Sequence, residues 1–307
     1  MSAVVEVRQL TKVYGGRRGH EVKAVDSINM TVDRGEVYGF LGPNGAGKTT
    51  TIRMVLGLVN ATAGQVRVLG RRPGSREALE ETGSLIEGPA FYPYLSGQNN
   101  LRVVARYAGL SERQIPAALD LVDLAERSRD RYSTYSLGMK QRLGVAAALL
   151  KDPRLIVLDE PTNGLDPAGM RDMRAIIGRL GAEGRTVLLS SHLMGEVQQV
   201  CDRVAVIDHG RILVETTVAE LTDFGELVVA ATPSDLARTT LLGMAEVESV
   251  QARDGRLHVR IDSQHTAEVA RRLVEAGVAL SELRRDERQL EDAFFEMTDK
   301  KQEPSHA

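Results

Sequence analysis

The stretch GPNGAGKTT, Gly42 to Thr50, limits what this 307-residue chain can fold into more than any other. It satisfies G-x-x-x-x-G-K-[ST] in full. The apolar run EVYGFLG leads into it and reads as a short buried strand, and Lys48 to Leu58 reads as a helix. A glycine-rich turn in that setting can curl until successive backbone N–H groups face one phosphate. The positive end of the helix dipole strengthens the same field. Gly42, Asn44, Gly45, Ala46, Gly47, Lys48, Thr49 and Thr50 are therefore candidate nucleotide contacts. Lys48 should reach the β- and γ-phosphates, Thr49 should hold Mg²⁺, and Thr50 should donate to the α-phosphate.

The runs around this loop extend the pattern. VVEVRQL, VKAVDSINMTV and GQVRVLG read as strands. Further on come RLIVLD, a helix after Asp166, TVLLSS, a helix after His192, and RVAVID. Strands alternating with helices predict an α/β fold with a mainly parallel sheet. Residues 88–152 interrupt it with a helical block, in which Leu101, Val104, Ala105 and Ala108 share one face. From residue 223 the order becomes β-α-β-β-α-β, with RDGR as a hairpin turn, which resembles a ferredoxin-like unit. The expected division is residues 1–222, a small α+β domain at 223–300, and a disordered tail at 301–307. Glu291 to Lys300 reads as a final amphipathic helix.

Two further positions carry chemistry. LIVLDE is an apolar strand ending in Asp159 and Glu160. Asp159 suits the Mg²⁺ side of a phosphoryl-transfer site, and Glu160 could polarise a water for attack on a γ-phosphate. His192 ends another apolar strand, so it belongs to the polar set that gathers at the carboxyl ends of parallel strands. It is a candidate γ-phosphate sensor. The sequence SLGMKQR, Ser136 to Arg142, adds a second helix start suited to an anion.

With these pieces placed, residues 4 to about 222 resemble the nucleotide-binding subunits of ABC transporters, built on the P-loop NTPase fold. GPNGAGKTT is similar to their Walker A loop and SLGMKQR to their signature motif. LIVLDEPTNGLDP resembles their Walker B strand and D-loop, and SSH their switch histidine. The C-terminal LEDAFFEMT is similar to the tail of bacterial drug- and antibiotic-export ATPases. The resemblance implies a head-to-tail dimer around two ATP molecules, here a homodimer or a pairing with a related ATPase. Ser136 and Gly138 would then bind the γ-phosphate of the partner's ATP, with Asp166 in the D-loop. Leu137 and Met139 depart from the usual glycine and glutamine of that motif. The resemblance also implies that Tyr14 stacks on adenine. Glu87 stands where the family usually has a Mg²⁺-ligating glutamine, which makes Thr49, Glu87 and Asp159 the expected metal set.

Bulk composition narrows the partners. Basic and acidic residues nearly cancel, 39 against 42, so no footprint for nucleic acid appears. No apolar run approaches bilayer-spanning length, and Glu6 and Arg8 come too early for a signal peptide. Cys201 is the only cysteine, which excludes an internal disulfide. The expectation is an ATPase subunit held at the cytoplasmic face of the membrane by a separate integral-membrane permease, powering export of a drug, antibiotic or lipid-like compound. A soluble ABC ATPase acting on ribosomes or DNA would carry two ATPase units or long coiled coils, and neither is seen. A GTPase would need N-K-x-D, which is missing.

Overall fold

The computed structural model describes residues 3–15, 21–222, 226–262 and 265–285. Contacts divide the chain into two units, Met1–Thr217 and Val218–Ala307. In chain order the first runs β1 (Ala3–Gly15), β2 (Glu21–Asp33), β3 (Val37–Leu41), α1 (Lys48–Val55), β4 (Ala63–Val68), α2 (Arg76–Glu80), β5 (Thr82–Leu85), α3 (Gly97–Tyr107), α4 (Ile115–Leu121) and α5 (Leu137–Leu149). It continues with β6 (Leu155–Asp159), α6 (Pro167–Ala182), β7 (Thr186–Ser191), α7 (Met194–Val200), β8 (Arg203–Asp208) and β9 (Arg211–Thr217).

Six strands form the central sheet in the order β5-β6-β7-β3-β8-β9. All neighbours are parallel except the β8–β9 pair. Every residue of β3, β6 and β7 is buried. Helices cover both faces of such a strand, so it reads as a continuous apolar run rather than an alternating one. Register aligns the strand ends: Leu41 pairs with Ser191, and Asp159 with Ser190. The segments that follow β3, β6 and β7 therefore leave the sheet at one edge, where open α/β sheets bind ligands.

β1, β2 and β4 make a separate antiparallel sheet, ordered β2-β1-β4. The sequence patterns give all three as strands but do not show that they pair away from the parallel set. β9 was not expected at all, because its residues are mostly half-buried and carry no alternation. One apolar cluster joins the layers, with Leu10, Ile28 and Met30 from the antiparallel sheet, Ile52 and Val55 from α1, and Phe40, Val157 and Leu188 from the central sheet. α1 ends at Val55 rather than at the expected Leu58. Gly57 follows in the left-handed region at φ 73°, and a Cβ there would lie 2.5 Å from the Gly74 nitrogen, so the backbone must turn at this point.

The helical block stacks α3, α4 and α5. Leu101 and Ala105 of α3 are fully buried, whereas Ala108 caps the helix and is exposed. α5 is held tightly to the sheet: a Cβ on Gly144 would come within 2.8 Å of Leu85 and 3.1 Å of Pro89.

The second unit contains α8 (Val218–Thr222), β10 (Glu226–Thr232), α9 (Ser234–Leu242), β11 (Ser249–Arg253), β12 (Arg256–Arg260), α10 (Thr266–Glu275) and β13 (Ala279–Arg285). Its antiparallel sheet has the order β11-β12-β10-β13, with the connections of a ferredoxin-like unit. Asp254 and Gly255 turn the β11–β12 hairpin with φ of 49° and 75°, the left-handed pair that a tight type I′ turn requires. Leu227, Val229, Ala237, Leu241, Val259 and Leu273 form a core of its own. The expected helix at 291–300 and tail at 301–307 lie outside the described residues.

Separate cores predict separable folding. A chain ending at Thr222 should unfold cooperatively and keep nucleotide affinity within about twofold of the full chain. Thermal melts and nucleotide titration of the two chains check this; loss of a cooperative melt would contradict it.

Candidate nucleotide site

The phosphate loop is built by close backbone approach. Gly42 follows β3, and a Cβ there would sit 2.1 Å from the Ile207 carbonyl oxygen. At Gly47, φ 109°, a Cβ would sit 2.4 Å from the Ala24 carbonyl oxygen. Side chains at these two positions would push the loop off its support, which is the local reason for glycine. Asn44 and Gly45 form the exposed tip, while Ala46 and Gly47 are buried and Thr50 is half-buried.

Lys48 opens α1 with its side chain only 5% exposed. Its ammonium donates to the carbonyls of Gly42 at 2.7 Å and Pro43 at 3.1 Å. The Glu160 carboxylate lies 3.1 Å away through Oε1, and its Oε2 meets Nδ1 of His192 at 2.7 Å. One carboxylate thus bridges the P-loop cation and the histidine after β7. Next to it, the Thr49 hydroxyl donates to Asp159 Oδ1 at 3.3 Å. Lys48, Thr49, Asp159, Glu160 and His192 therefore come together from three segments of the chain.

Ser190 completes this group, and sequence reasoning gave it no role. Its hydroxyl donates to Asp159 Oδ1 at 2.5 Å and accepts the Glu160 N–H at 3.0 Å. Glu160 needs that hold, because it is a non-glycine residue in the left-handed region at φ 49°. Such a conformation costs about 1–3 kcal/mol and persists only when its surroundings fix it. No spacing rule reveals the contact, since it depends on the pairing of β6 with β7.

A second group lies at two helix starts. Ser136 caps α5 by accepting from Met139 N–H at 3.2 Å, and Asp166 caps α6 by accepting from Gly169 N–H at 3.0 Å. The two starts approach each other, for a Cβ on Gly138 would lie 3.7 Å from the Gly169 Cα. Leu137 is half exposed and lies against Gly164. Tyr14, near the end of β1, is 40% exposed, with the Lys12 ammonium 4.9 Å from its ring centroid. Glu87 is exposed, has φ 59°, and forms an ion pair with Arg53 of α1. The Arg53 contact was not foreseen; the two residues are 34 apart in sequence. Cys201 is a packing residue: a Cβ on Gly39 would lie 3.0 Å from its sulfur, and burial pushes its thiol pKa well up.

Ser190→Ala should therefore cost about 1–3 kcal/mol of stability, since it strips a buried carboxylate of a donor. Chemical denaturation checks this, and a change below about 0.5 kcal/mol would show that the hydroxyl is not needed.

A family profile described as ABC transporter matches residues 25–163. The chain is 37% identical over 313 residues to the ABC transporter ATP-binding protein YhcH of Bacillus subtilis (strain 168), covering 100% of both. It is also 37% identical over 306 residues to the bacitracin transport ATP-binding protein BcrA of Bacillus licheniformis, covering 97% of this chain and 98% of that one. Among solved structures, an ATP-binding subunit of an ABC transporter superposes with a TM-score of 0.61 at 30% identity, over 71% of this chain and 91% of its own. The chain belongs to the ABC transporter family, as one of its ATP-binding, ATP-hydrolysing subunits.

Proposed function

We propose that this chain hydrolyses ATP between two copies of itself and so powers export of an antibiotic-type compound through a separate integral-membrane permease. The observation that carries the reading is the Glu160 carboxylate between Lys48 and His192. A γ-phosphate drawn to the Lys48 ammonium arrives beside a carboxylate able to take a proton from an attacking water. His192 orients that carboxylate and reaches toward the same phosphate. Asn44 to Thr50 supply backbone and side-chain donors to the phosphates, and Tyr14 offers an exposed ring face to the adenine.

Mg²⁺ fits the oxygens on hand. The Thr49 hydroxyl and Asp159 carboxylate converge within 3.3 Å, and both are hard donors. Among the described residues there is no cluster of three or more His, Cys, Asp or Glu that could hold a metal. Mg²⁺ commonly takes one or two protein oxygens and fills the rest of its shell with nucleotide phosphates and water. When bound, it would neutralise charge on the phosphates. Glu87 is the proposed third contact, and its pair with Arg53 has to open for that to happen.

The dimer reading rests on the two helix starts. The α5 N-terminus, with Ser136, Gly138 and half-exposed Leu137, offers donors and a positive dipole to the γ-phosphate of a partner's ATP. Asp166 stands beside it at the start of α6. Among the described residues no helix is long and apolar enough to cross a membrane. The relatives named as transport ATP-binding proteins support a permease on a separate chain, with this subunit peripheral on its cytoplasmic side. The bacitracin transporter subunit among the relatives supports an antibiotic as cargo.

Glu160→Gln should bind ATP, lose about 10²–10⁴ in turnover, and elute as a stable dimer when ATP is present. Strictly monomeric elution of this variant on size-exclusion chromatography would contradict the sandwich. Lys48→Ala should instead weaken ATP binding itself, because it removes a charge-assisted contact.

The Glu87 reading separates from these in a paired assay. Glu87→Gln should keep ATPase activity within about tenfold of the parent, since an amide oxygen can still reach the metal. Glu87→Ala should reduce export-dependent resistance more than it reduces ATP affinity. Parent-level resistance in Glu87→Ala would leave Glu87 as a surface acid paired with Arg53.

A further inference from the structure

We infer that the β8–β9 turn at His209–Gly210 is a positioning element for the phosphate loop, clamping the Ala46–Gly47 backbone against β2. The inference rests on Gly42–Thr50 being the phosphate cradle and names what holds that cradle in shape.

The turn has φ of 46° at His209 and 77° at Gly210, the left-handed pair of a tight type I′ hairpin. A hairpin tip ordinarily turns its backbone groups to water. This one spends both groups of Gly210 on the chain around it. The Gly210 N–H donates to the Ala46 carbonyl at 2.9 Å, inside the phosphate loop. The Gly210 carbonyl accepts the Asp26 N–H of β2 at 2.8 Å. One residue therefore stitches the loop to the antiparallel sheet.

The fit around it leaves little slack. A Cβ on Gly47 would lie 2.4 Å from the Ala24 carbonyl oxygen, and one on Gly210 would lie 3.0 Å from the same oxygen. At the other end of the loop, Gly42 abuts the carbonyl of Ile207, three residues before Gly210 on the same hairpin. The hairpin thus backs one end of the loop at Ile207 and bonds the other at Gly210. Charge closes the junction on its outer side. Arg211 pairs with Asp26 Oδ2 at 2.7 Å, and Lys23 pairs with Asp26 Oδ1 at 3.1 Å. The Arg211 guanidinium, then Lys23, hold the Asp26 carboxyl below the usual carboxylate range.

None of these groups is proposed to touch nucleotide. Their effect is pre-organisation. A phosphate cradle works through N–H groups already aimed at one point, and ordering them during binding would be subtracted from affinity. Fixing Ala46 and Gly47 from behind removes that cost before ATP arrives. A loosened clamp should then weaken every phosphate ligand to a similar degree, while the step after binding proceeds on a correctly seated nucleotide.

The test measures binding of ATP and of inorganic triphosphate, the KM and kcat for ATP hydrolysis, and the melting temperature, on the full chain. Gly210→Ala places a side chain at φ 77° against Ala24, and Arg211→Ala removes the outer ion pair from a side chain that is 70% exposed. Gly210→Ala should raise Kd for ATP and triphosphate alike by about threefold to tenfold, the worth of one hydrogen bond, and Arg211→Ala should do so by about twofold to threefold, since its ion pair is largely exposed. KM should rise in step, with kcat within about twofold of the parent. Arg211→Lys keeps the charge and should restore affinity to near the parent value. If Gly210→Ala does not fold, the Arg211→Ala and Arg211→Lys pair decides the matter. Variants that melt lower but keep parental Kd for both ligands would show the turn to be merely structural and overturn the inference. Lys48→Ala is measured beside them: if it too leaves affinity unchanged, the cradle assignment itself has failed, which is a distinct result.

Discussion

The Lys48 ammonium is the group around which the first unit is arranged. It is almost wholly buried, and a buried charge without a partner costs several kcal/mol. Two loop carbonyls and the Glu160 carboxylate meet that requirement. Each comes from a different part of the structure: the carbonyls require the glycine-rich turn after β3, and the carboxylate requires the end of β6 two strands away. The same carboxylate reaches His192 after β7. Satisfying one cation thus ties together the ends of three strands.

That arrangement would not hold without the rigidity of the sheet. β3, β6 and β7 are buried at every residue, so their ends cannot slide without disturbing a packed core. The β6–β7 register sets Ser190 opposite Asp159, and the serine then serves both neighbouring acids, one by donating to it and one by fixing its backbone. The strained φ of Glu160 is tolerated because of that double contact. Local strain, sheet register and site chemistry form a single chain of cause here. The two helix starts follow another logic. Ser136 and Asp166 each satisfy an orphan N–H of their own helix, and the glycines beside them let the helix starts approach.

Much of this was legible in the sequence. The phosphate loop is a local device, because its glycines, lysine and threonines act within one turn and the following helix. The caps are local too, since a serine or aspartate bonds the N–H three residues on. The apolar runs of β3, β6 and β7 announce a doubly covered sheet, and the RDGR turn announces its hairpin. In each case the partner lies within a few residues, or the pattern repeats along one element, so composition and spacing carry the information.

What only the tertiary structure decided involves partners far apart in the chain. Glu87 stood in the sequence only as the counterpart of a metal-ligating glutamine after a strand, and its pairing with Arg53, 34 residues away, depends on where the fold carries the segment after β5. Ser190 looked like one serine in an apolar strand until register put it against Asp159. β1, β2 and β4 were evident as strands, but not as a sheet of their own, because alternation shows which face is buried and not which neighbour is bonded. The contact of Gly210 with Ala46 spans even more of the chain. Sequence thus determined which chemical groups were available and how each local segment would fold. Packing determined which of those groups would meet, since contacts between distant residues exist only once the whole core has closed around them.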